Sequence, residues 1–247
     1  MTDATTAGEA PPPTFIITGP TSGLGRALVA QILPRPFPLI LVGRDLKRLD
    51  RERAQRSSAA TVECIEIDFA SDLKNLVDQL ICIVQRVARG PLVFISNAGL
   101  IEPIGQAGLL ELAAVERSMR VNWLSPMFVA NALGVSACKQ DNTLLVVDVS
   151  SGAATRPVRG WQAYCASKAA IKMALDVLAQ ESAHVEVIHL DPGVMDTPMQ
   201  ALIRKENAEN MPDVSIFRGY KATGKLRDPH SVANEMMAMI IKRVARR

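Results

Sequence analysis

Phe15-Ile16-Ile17-Thr18-Gly19-Pro20-Thr21-Ser22-Gly23-Leu24-Gly25 is the stretch on which the fold turns. A short apolar run, Phe15 to Thr18, enters a glycine-rich turn, and a helical stretch follows from Leu24 to Leu33. Glycines at such a turn let backbone N–H groups approach a pyrophosphate, whose charge the helix N-terminus stabilises. The spacing is TGxxxGxG rather than GxGxxG, and a glycine-rich turn alone is compatible with an ordinary strand-to-helix connection. Its place directly after the first apolar run favours the phosphate reading.

Outward from this turn the same alternation continues. Leu39 to Val42, Val62 to Ile67, Leu92 to Ser96, Leu144 to Val149 and Val185 to Leu190 are short apolar or β-branched runs that read as strands buried on both faces. Helical stretches are expected at Leu24 to Leu33, Asp45 to Arg56, Leu73 to Arg89, Glu111 to Cys138, Gln162 to Glu181 and Val232 to Val244. Strands alternating with helices predict an α/β fold: one doubly wound, parallel, six-stranded sheet of the Rossmann type with right-handed crossovers. Nothing between residues 14 and 245 reads as an interdomain linker, so one domain is expected over 14–247. The segment 1–13 is small, polar and Pro-rich, and reads as a flexible tail with no signal-peptide pattern.

The chain has 247 residues, 48% hydrophobic and 21% charged, which suits a globular enzyme and excludes a disordered segment. Its net charge is +3, and the basic residues gather only at Lys242, Arg243, Arg246 and Arg247, a solvated helix end in the simplest reading. No nucleic-acid partner is expected. No apolar run approaches the roughly 20 residues that span a bilayer. The cysteines, Cys64, Cys82, Cys138 and Cys165, lack CxxC spacing and lie in apolar stretches, so they are expected to be buried free thiols in a cytoplasmic protein. His184, His189 and His230 have no partners at metal-ligand spacing, and no metal is expected.

Tyr164-Cys165-Ala166-Ser167-Lys168 opens the helix from Gln162, and a spacing of four puts Tyr164 and Lys168 on one face. An ammonium beside a phenol favours the phenolate and makes the phenol a usable acid near neutrality. Ser151 ends the fifth predicted strand, thirteen residues before Tyr164. Carboxyl ends of parallel strands are where ligands bind, and a hydroxyl there can donate to a carbonyl oxygen as negative charge develops. Two strand-end serines can also form an ordinary turn.

With TGPTSGLG, Asp68 after the third strand, Asn97-Ala98-Gly99 after the fourth, Asn122, Ser151, YCASK and Asp191-Pro192-Gly193 running to Thr197, the chain resembles the classical short-chain dehydrogenase/reductase family over about residues 14 to 228. The resemblance implies that Gly19, Ser22, Gly23, Leu24 and Gly25 shape the cofactor loop, and that Asp68 and Phe69 lie by the adenine. It places Asn97, Ala98 and Gly99 beside the adenine ribose and the sheet. It gives Tyr164 as proton donor, Ser151 as the group that orients the carbonyl, and Lys168 as the holder of the nicotinamide ribose. Asn122 would help hold a water in the proton relay, and Pro192, Gly193, Val194 and Thr197 would close over the carboxamide. Ser151 rather than Ser150 follows from the spacing to Tyr164.

Cofactor choice turns on Leu41-Val42-Gly43-Arg44. An acid at the end of the second strand would bond the ribose of NAD, whereas an Arg nearby accepts the 2′-phosphate of NADP. Gly43 stands where NAD-selective relatives carry the acid and Arg44 follows, so NADP(H) is expected. Asp45 has two readings, ribose ligand or helix N-cap, and the second is simpler. Arg159-Gly160-Trp161, Asp196-Thr197-Pro198-Met199-Gln200 and Gly224-Lys225-Leu226 are similar to sepiapterin reductases and bacterial benzil (diketone) reductases. Trp161, Met195, Met199 and Leu202 either line an apolar substrate wall or merely pack the segment Met195 to Arg227, which reads as a mobile flap without clean periodicity. Family members usually continue past their last helix into a seventh strand. None is expected here, nor the acidic residue with which sepiapterin reductases hold the pterin, which favours a diketone or other small carbonyl. A non-catalytic NADP-binding regulator on the same fold stays open. The helices 111–138 and 162–181 carry apolar residues beyond what one sheet can cover, among them Leu112, Phe128, Ala166, Ala170, Met173 and Val177. As relatives pair these helices, a homodimer is expected.

Overall fold

Period-two alternation along each inner strand divides its side chains between two cores, and this sets the architecture. The structure, a computed structural model, describes residues 11–54 and 61–246. Six parallel strands, β1 Thr14–Thr18, β2 Leu39–Gly43, β3 Val62–Glu66, β4 Leu92–Ser96, β5 Leu144–Val149 and β6 Val185–Leu190, form one sheet in the order β3-β2-β1-β4-β5-β6. Phe15, Ile17, Leu39, Leu41, Val93, Ile95, Leu145 and Val147 face helices α1 Gly23–Ile32 and α9 Pro229–Val244. Ile16, Ile40, Val42, Phe94, Leu144 and Val146 face α3 Leu73–Val87, α5 Ser125–Lys139 and α6 Gln162–Glu181. Burying each such side chain stabilises by about 1.5–3 kcal/mol. A third, smaller cluster joins Ile101, Trp161 and Tyr164 to Ile203, Met211 and Val214 above the sheet.

Several expectations need correction. Burial on both faces holds for β1, β2, β4 and β5, but the edge strands β3 and β6 each keep only one residue fully buried, Ile65 and Val185. The helix expected from Asp45 is a single 3-10 turn, Leu46–Leu49, and a short α2, Asp50–Ala54; Arg56 lies outside the described residues. Asp45 occupies the N-cap position with a left-handed backbone (φ 54°) and makes no capping bond; its carboxylate pairs with Arg48 at 3.4 Å instead. The long helix 111–138 is α4 Leu112–Met119 and α5 joined by a π turn, Arg120–Leu124. The flap folds into two helices, α7 Pro198–Lys205 and α8 Val214–Ala222. The thiols are free but not buried: Cys82 and Cys138 are exposed, and Cys64 and Cys165 only half-buried. Burial still pushes the Cys64 thiol up from its usual range. Of the expected tail, residues 1–10 and of the basic group Arg247 lie outside the described residues, while Pro11 and Pro12 pass so close to Gly90 that a Cβ there would sit 2.3 Å from the Pro11 carbonyl oxygen. Among the described residues no helix is long and apolar enough to cross a membrane.

Candidate active site

The chain runs outward from β1 to β3 and then returns to β4 beside β1, so the loops leaving β1 and β4 diverge and open a crevice at the carboxyl ends of the strands. A cavity of about 750 Å³ lies there. Gly19 (φ 64°) and Gly23 (φ 50°) take the left-handed backbone that turns β1 into α1. Gly25 answers a different need: a Cβ there would lie 2.1 Å from the Gly19 carbonyl oxygen and 2.5 Å from Asn97 Nδ2. That crowding arises because Asn97 Nδ2 donates to the Thr18 and Gly19 carbonyls, each at 3.0 Å. Thr18 Oγ1 in turn accepts the N–H groups of Asn97 (3.0 Å) and Ala98 (3.1 Å), so the two loops are laced together. Ser22, at the N-cap of α1, makes no side-chain bond to the helix.

At one end of the cavity stand Gly43, Arg44 and Asp68. A Cβ on Gly43 would lie 3.0 Å from Pro20 Cδ, which leaves little room for a larger residue. Asp68 accepts the Ala70 N–H at 2.9 Å and Arg117 Nη2 at 2.9 Å, with Arg44 Nη1 at 3.8 Å. The Ala70 N–H first, then the two guanidiniums, hold its carboxyl below the usual range against partial burial. Arg117 was missed by sequence reasoning: it stands in the last turn of α4, with no motif to mark it.

At the other end α6 presents Tyr164 and Lys168, both 6% exposed. Lys168 Nζ donates to the Val149 carbonyl at 2.9 Å, where β5 ends, and lies 6.0 Å from the centre of the Tyr164 ring. Ser151 Oγ accepts the Ala153 N–H at 3.2 Å and opens a short 3-10 turn, Gly152–Ala154. Asn122 sits in the π turn beneath the wall. Its Oδ1 accepts Leu100 N–H and its Nδ2 donates to the Leu100 carbonyl, both at 2.8 Å, and Nδ2 also lies 3.2 Å from Ser118 Oγ and Ser167 Oγ. Ser167 Oγ donates to the Tyr164 carbonyl at 2.9 Å, so Asn122 and Ser167 tie α6 to the loop after β4. Neither serine was singled out from sequence; Ser167 lies inside YCASK, where its neighbours drew the attention.

The outer wall is built by α7, α8 and Trp161. Trp161 packs edge-on to Tyr164 (5.6 Å between ring centres) and against Phe217 of α8 (5.0 Å). Thr197 Oγ1 caps α7 by accepting Gln200 N–H at 3.3 Å. Arg227 Nη1 donates to the Pro192 carbonyl at 3.1 Å, which fixes the Pro192-Gly193-Val194 turn. Buried Trp161 Nε1 and Gln200 Nε2 are donors without a hydrogen-bond partner.

The structure thus brings Gly19, Ser22, Gly23, Leu24, Arg44, Asp68, Phe69, Asn97, Ala98, Gly99, Ser151, Tyr164, Lys168, Pro192, Gly193, Val194, Thr197, Trp161, Met195, Met199 and Leu202 to one cavity, and leaves Gly25 and Asn122 just behind its wall. Among the described residues no cluster of His, Cys, Asp and Glu is arranged to hold a metal. A family model for short chain dehydrogenase matches residues 13–208. Benzil reductase ((S)-benzoin forming) of Bacillus subtilis is 29% identical over 233 residues, 92% of this chain and 93% of that protein. Sepiapterin reductase of Xenopus tropicalis is 31% identical over 236 residues, covering 91% and 90%. The solved structure of the KRED1-Pglu enzyme is similar with a TM-score of 0.79 at 27% identity, over 92% of this chain and 94% of that one. The glycine loop, the cavity at the strand ends and these likenesses agree, and the chain belongs to the short chain dehydrogenase family of oxidoreductases.

Proposed function

We propose that the protein is an NADPH-dependent carbonyl reductase acting on a ketone or diketone, with Tyr164 as the proton donor. The observation that carries this reading is the shared cavity: the glycine loop lines one part of it, and Tyr164 and Lys168 line another. The residues fit a dinucleotide, because side chains are missing where one would crowd the loop, at Gly19, Gly23 and Gly43. NADPH, when bound, supplies hydride. Arg44 would hold its 2′-phosphate and Lys168 its nicotinamide ribose hydroxyls. Tyr164 donates its phenolic proton to the substrate oxygen as charge builds up there, and the positive charge of Lys168 favours the resulting phenolate. Ser151 Oγ already accepts from Ala153, so its own hydrogen is free to donate to the same oxygen. Asn122 supports the relay from behind, through Leu100 and Ser167.

The wall of Trp161, Met195, Met199 and Leu202 suits a flat, aryl-bearing substrate. The benzil reductase relative supports an aromatic diketone. So do the unpaired donors on Trp161 and Gln200, which a second substrate oxygen would satisfy after a small shift of α7. A pterin carbonyl is the second reading, favoured by the sepiapterin reductase relative. Tyr164→Phe is the test, because it keeps the ring and removes the proton donor. Turnover is expected to disappear while NADPH still binds. Reductase activity within about threefold of wild type would overturn the assignment.

A further inference from the structure

Further along α6 from Tyr164 and Lys168, where the helix lies against β5 and β6, a second ionisable cluster is built into the fold. His189 of β6 places Nδ1 2.8 Å from Asp148 Oδ2 of β5 and Nε2 3.0 Å from Asp176 Oδ1 of α6. Lys172, one turn before Asp176 on α6, donates to the other oxygen of that carboxylate at 2.7 Å. Asp148 is only 1% exposed, and a carboxylate buried that deeply is costly unless it is paired. Among the described residues, Asp148 from β5 and Asp176 from α6 are the charged groups in contact with the ring, and Lys172 of α6 pairs with Asp176. Ionised carboxylates only accept hydrogen bonds, and a neutral imidazole has a single N–H. Both contacts can be hydrogen bonds only if the cluster carries a second proton.

We propose that His189 is held as an imidazolium and acts as a positioning residue, a two-sided clamp that fixes the Tyr164–Lys168 helix against β5. This rests on the reading of Tyr164 and Lys168 as the reacting pair. The clamp is connected to them on both sides. Asp148 immediately precedes Val149, whose carbonyl holds Lys168 Nζ at 2.9 Å, and Lys172 and Asp176 continue the same helix. The bond to Asp148, opposed by partial burial and reinforced by the bond to Asp176, raises the imidazole from its usual range. The bond to Lys172 likewise lowers the Asp176 carboxyl. A raised folded-state value means that the clamp's stabilisation is complete below the ordinary imidazole range and is lost as pH rises through the raised value. On that rise one of the two bonds must break, the tie between α6 and β5 loosens, and kcat should fall while KM holds.

The experiment uses the full-length protein labelled with ¹⁵N at its three histidines, His184, His189 and His230. At neutral pH the His189 ring should show both nitrogens protonated, a signal absent from His189→Gln. The pH at which this ring loses its proton should coincide with an alkaline step in kcat, and that step should vanish in His189→Gln with KM within about twofold. Should His189→Gln not fold, Asp176→Asn serves instead: it keeps the Asp148 pair, replaces the charged acceptor on α6 with a neutral amide, and should lower the pH of both the ring titration and the kcat step. A ring with one protonated nitrogen at neutral pH, with the second proton on Asp148, overturns the proposal. So does a pH profile for the variants that superimposes on wild type. The ring signal is read without substrate, so a failure to reduce any carbonyl would sink the functional reading and leave this result separate.

Discussion

In the proposed reading Arg44 carries the choice of nucleotide, and its contact with Asp68 does little to restrain it. Its guanidinium lies 3.8 Å from Asp68 at the surface, and exposed pairs of this kind contribute about 0–1 kcal/mol. Turning toward a phosphate therefore costs little, whereas deleting a charge-assisted contact to phosphate costs about 1.5–3 kcal/mol. Arg44→Ala should weaken kcat/KM for NADPH roughly ten- to a hundredfold and leave NADH nearly unchanged. A wild-type enzyme that already prefers NADH would contradict the assignment. Trp161 makes a second test at this scale. Its indole N–H is buried and unpaired, a cost to the fold of about 1–3 kcal/mol. Trp161→Phe keeps an aromatic ring against Phe217 and removes that donor. Thermal stability should hold or rise, and preference for a diketone over the matching monoketone should shrink; unchanged selectivity would assign the indole to packing alone. The meeting of Tyr164, Lys168 and Ser151 in one cavity was legible in the sequence because their spacing is itself the geometry of a helix turn and a strand end. His189 was not, because its partners come from a neighbouring strand and a helix with no fixed offset between them.

The strands and long helices could be read from the sequence because each is long enough, or apolar enough, to show its period. The expected α6, Gln162 to Glu181, has the observed limits. The wall helices escaped notice because α7 has eight residues and α8 nine, two turns each, in which a helical period hardly repeats. The π turn around Asn122 escaped for another reason: one extra residue in a helical turn leaves no compositional trace. Burial of the thiols was misjudged because α5 is apolar nearly all round, so composition does not say which face Cys138 takes. The junction of β1 with α1 offers a test at this scale. Gly25→Ala would put a methyl 2.1 Å from the Gly19 carbonyl oxygen, and neither backbone has room to retreat without breaking the Asn97 bonds. We expect a loss of about 1–3 kcal/mol in stability, a lower melting temperature and loss of nucleotide binding. A variant that melts and binds NADPH like wild type would show that the loop tolerates the side chain.

Across the whole molecule, the order β3-β2-β1-β4-β5-β6 puts the glycine loop and the Tyr164–Lys168 pair at the same carboxyl end of one sheet, which is why separated motifs meet. The same arrangement leaves apolar side chains of three neighbouring helices uncovered. Leu112 is 73% exposed, Phe128 49%, Val135 55%, Met173 65% and Val177 43%, on the neighbouring helices α4, α5 and α6. A contiguous exposed apolar face marks an interaction surface, and a two-fold pairing of this face with itself is the simplest closed solution. We expect a homodimer by light scattering, split into monomers by Ala170→Arg; a wild-type monomer at micromolar concentration would refute the pairing. Oxidation of NADPH in the presence of aromatic diketones, isatin, quinones, sepiapterin and 3-oxoacyl thioesters separates a reductase from a protein that only binds the nucleotide. We expect NADPH consumption matched by alcohol product, fastest with an aromatic diketone. Tight binding of NADPH with no consumption on any of these carbonyls would contradict the account and identify a nucleotide-binding regulator.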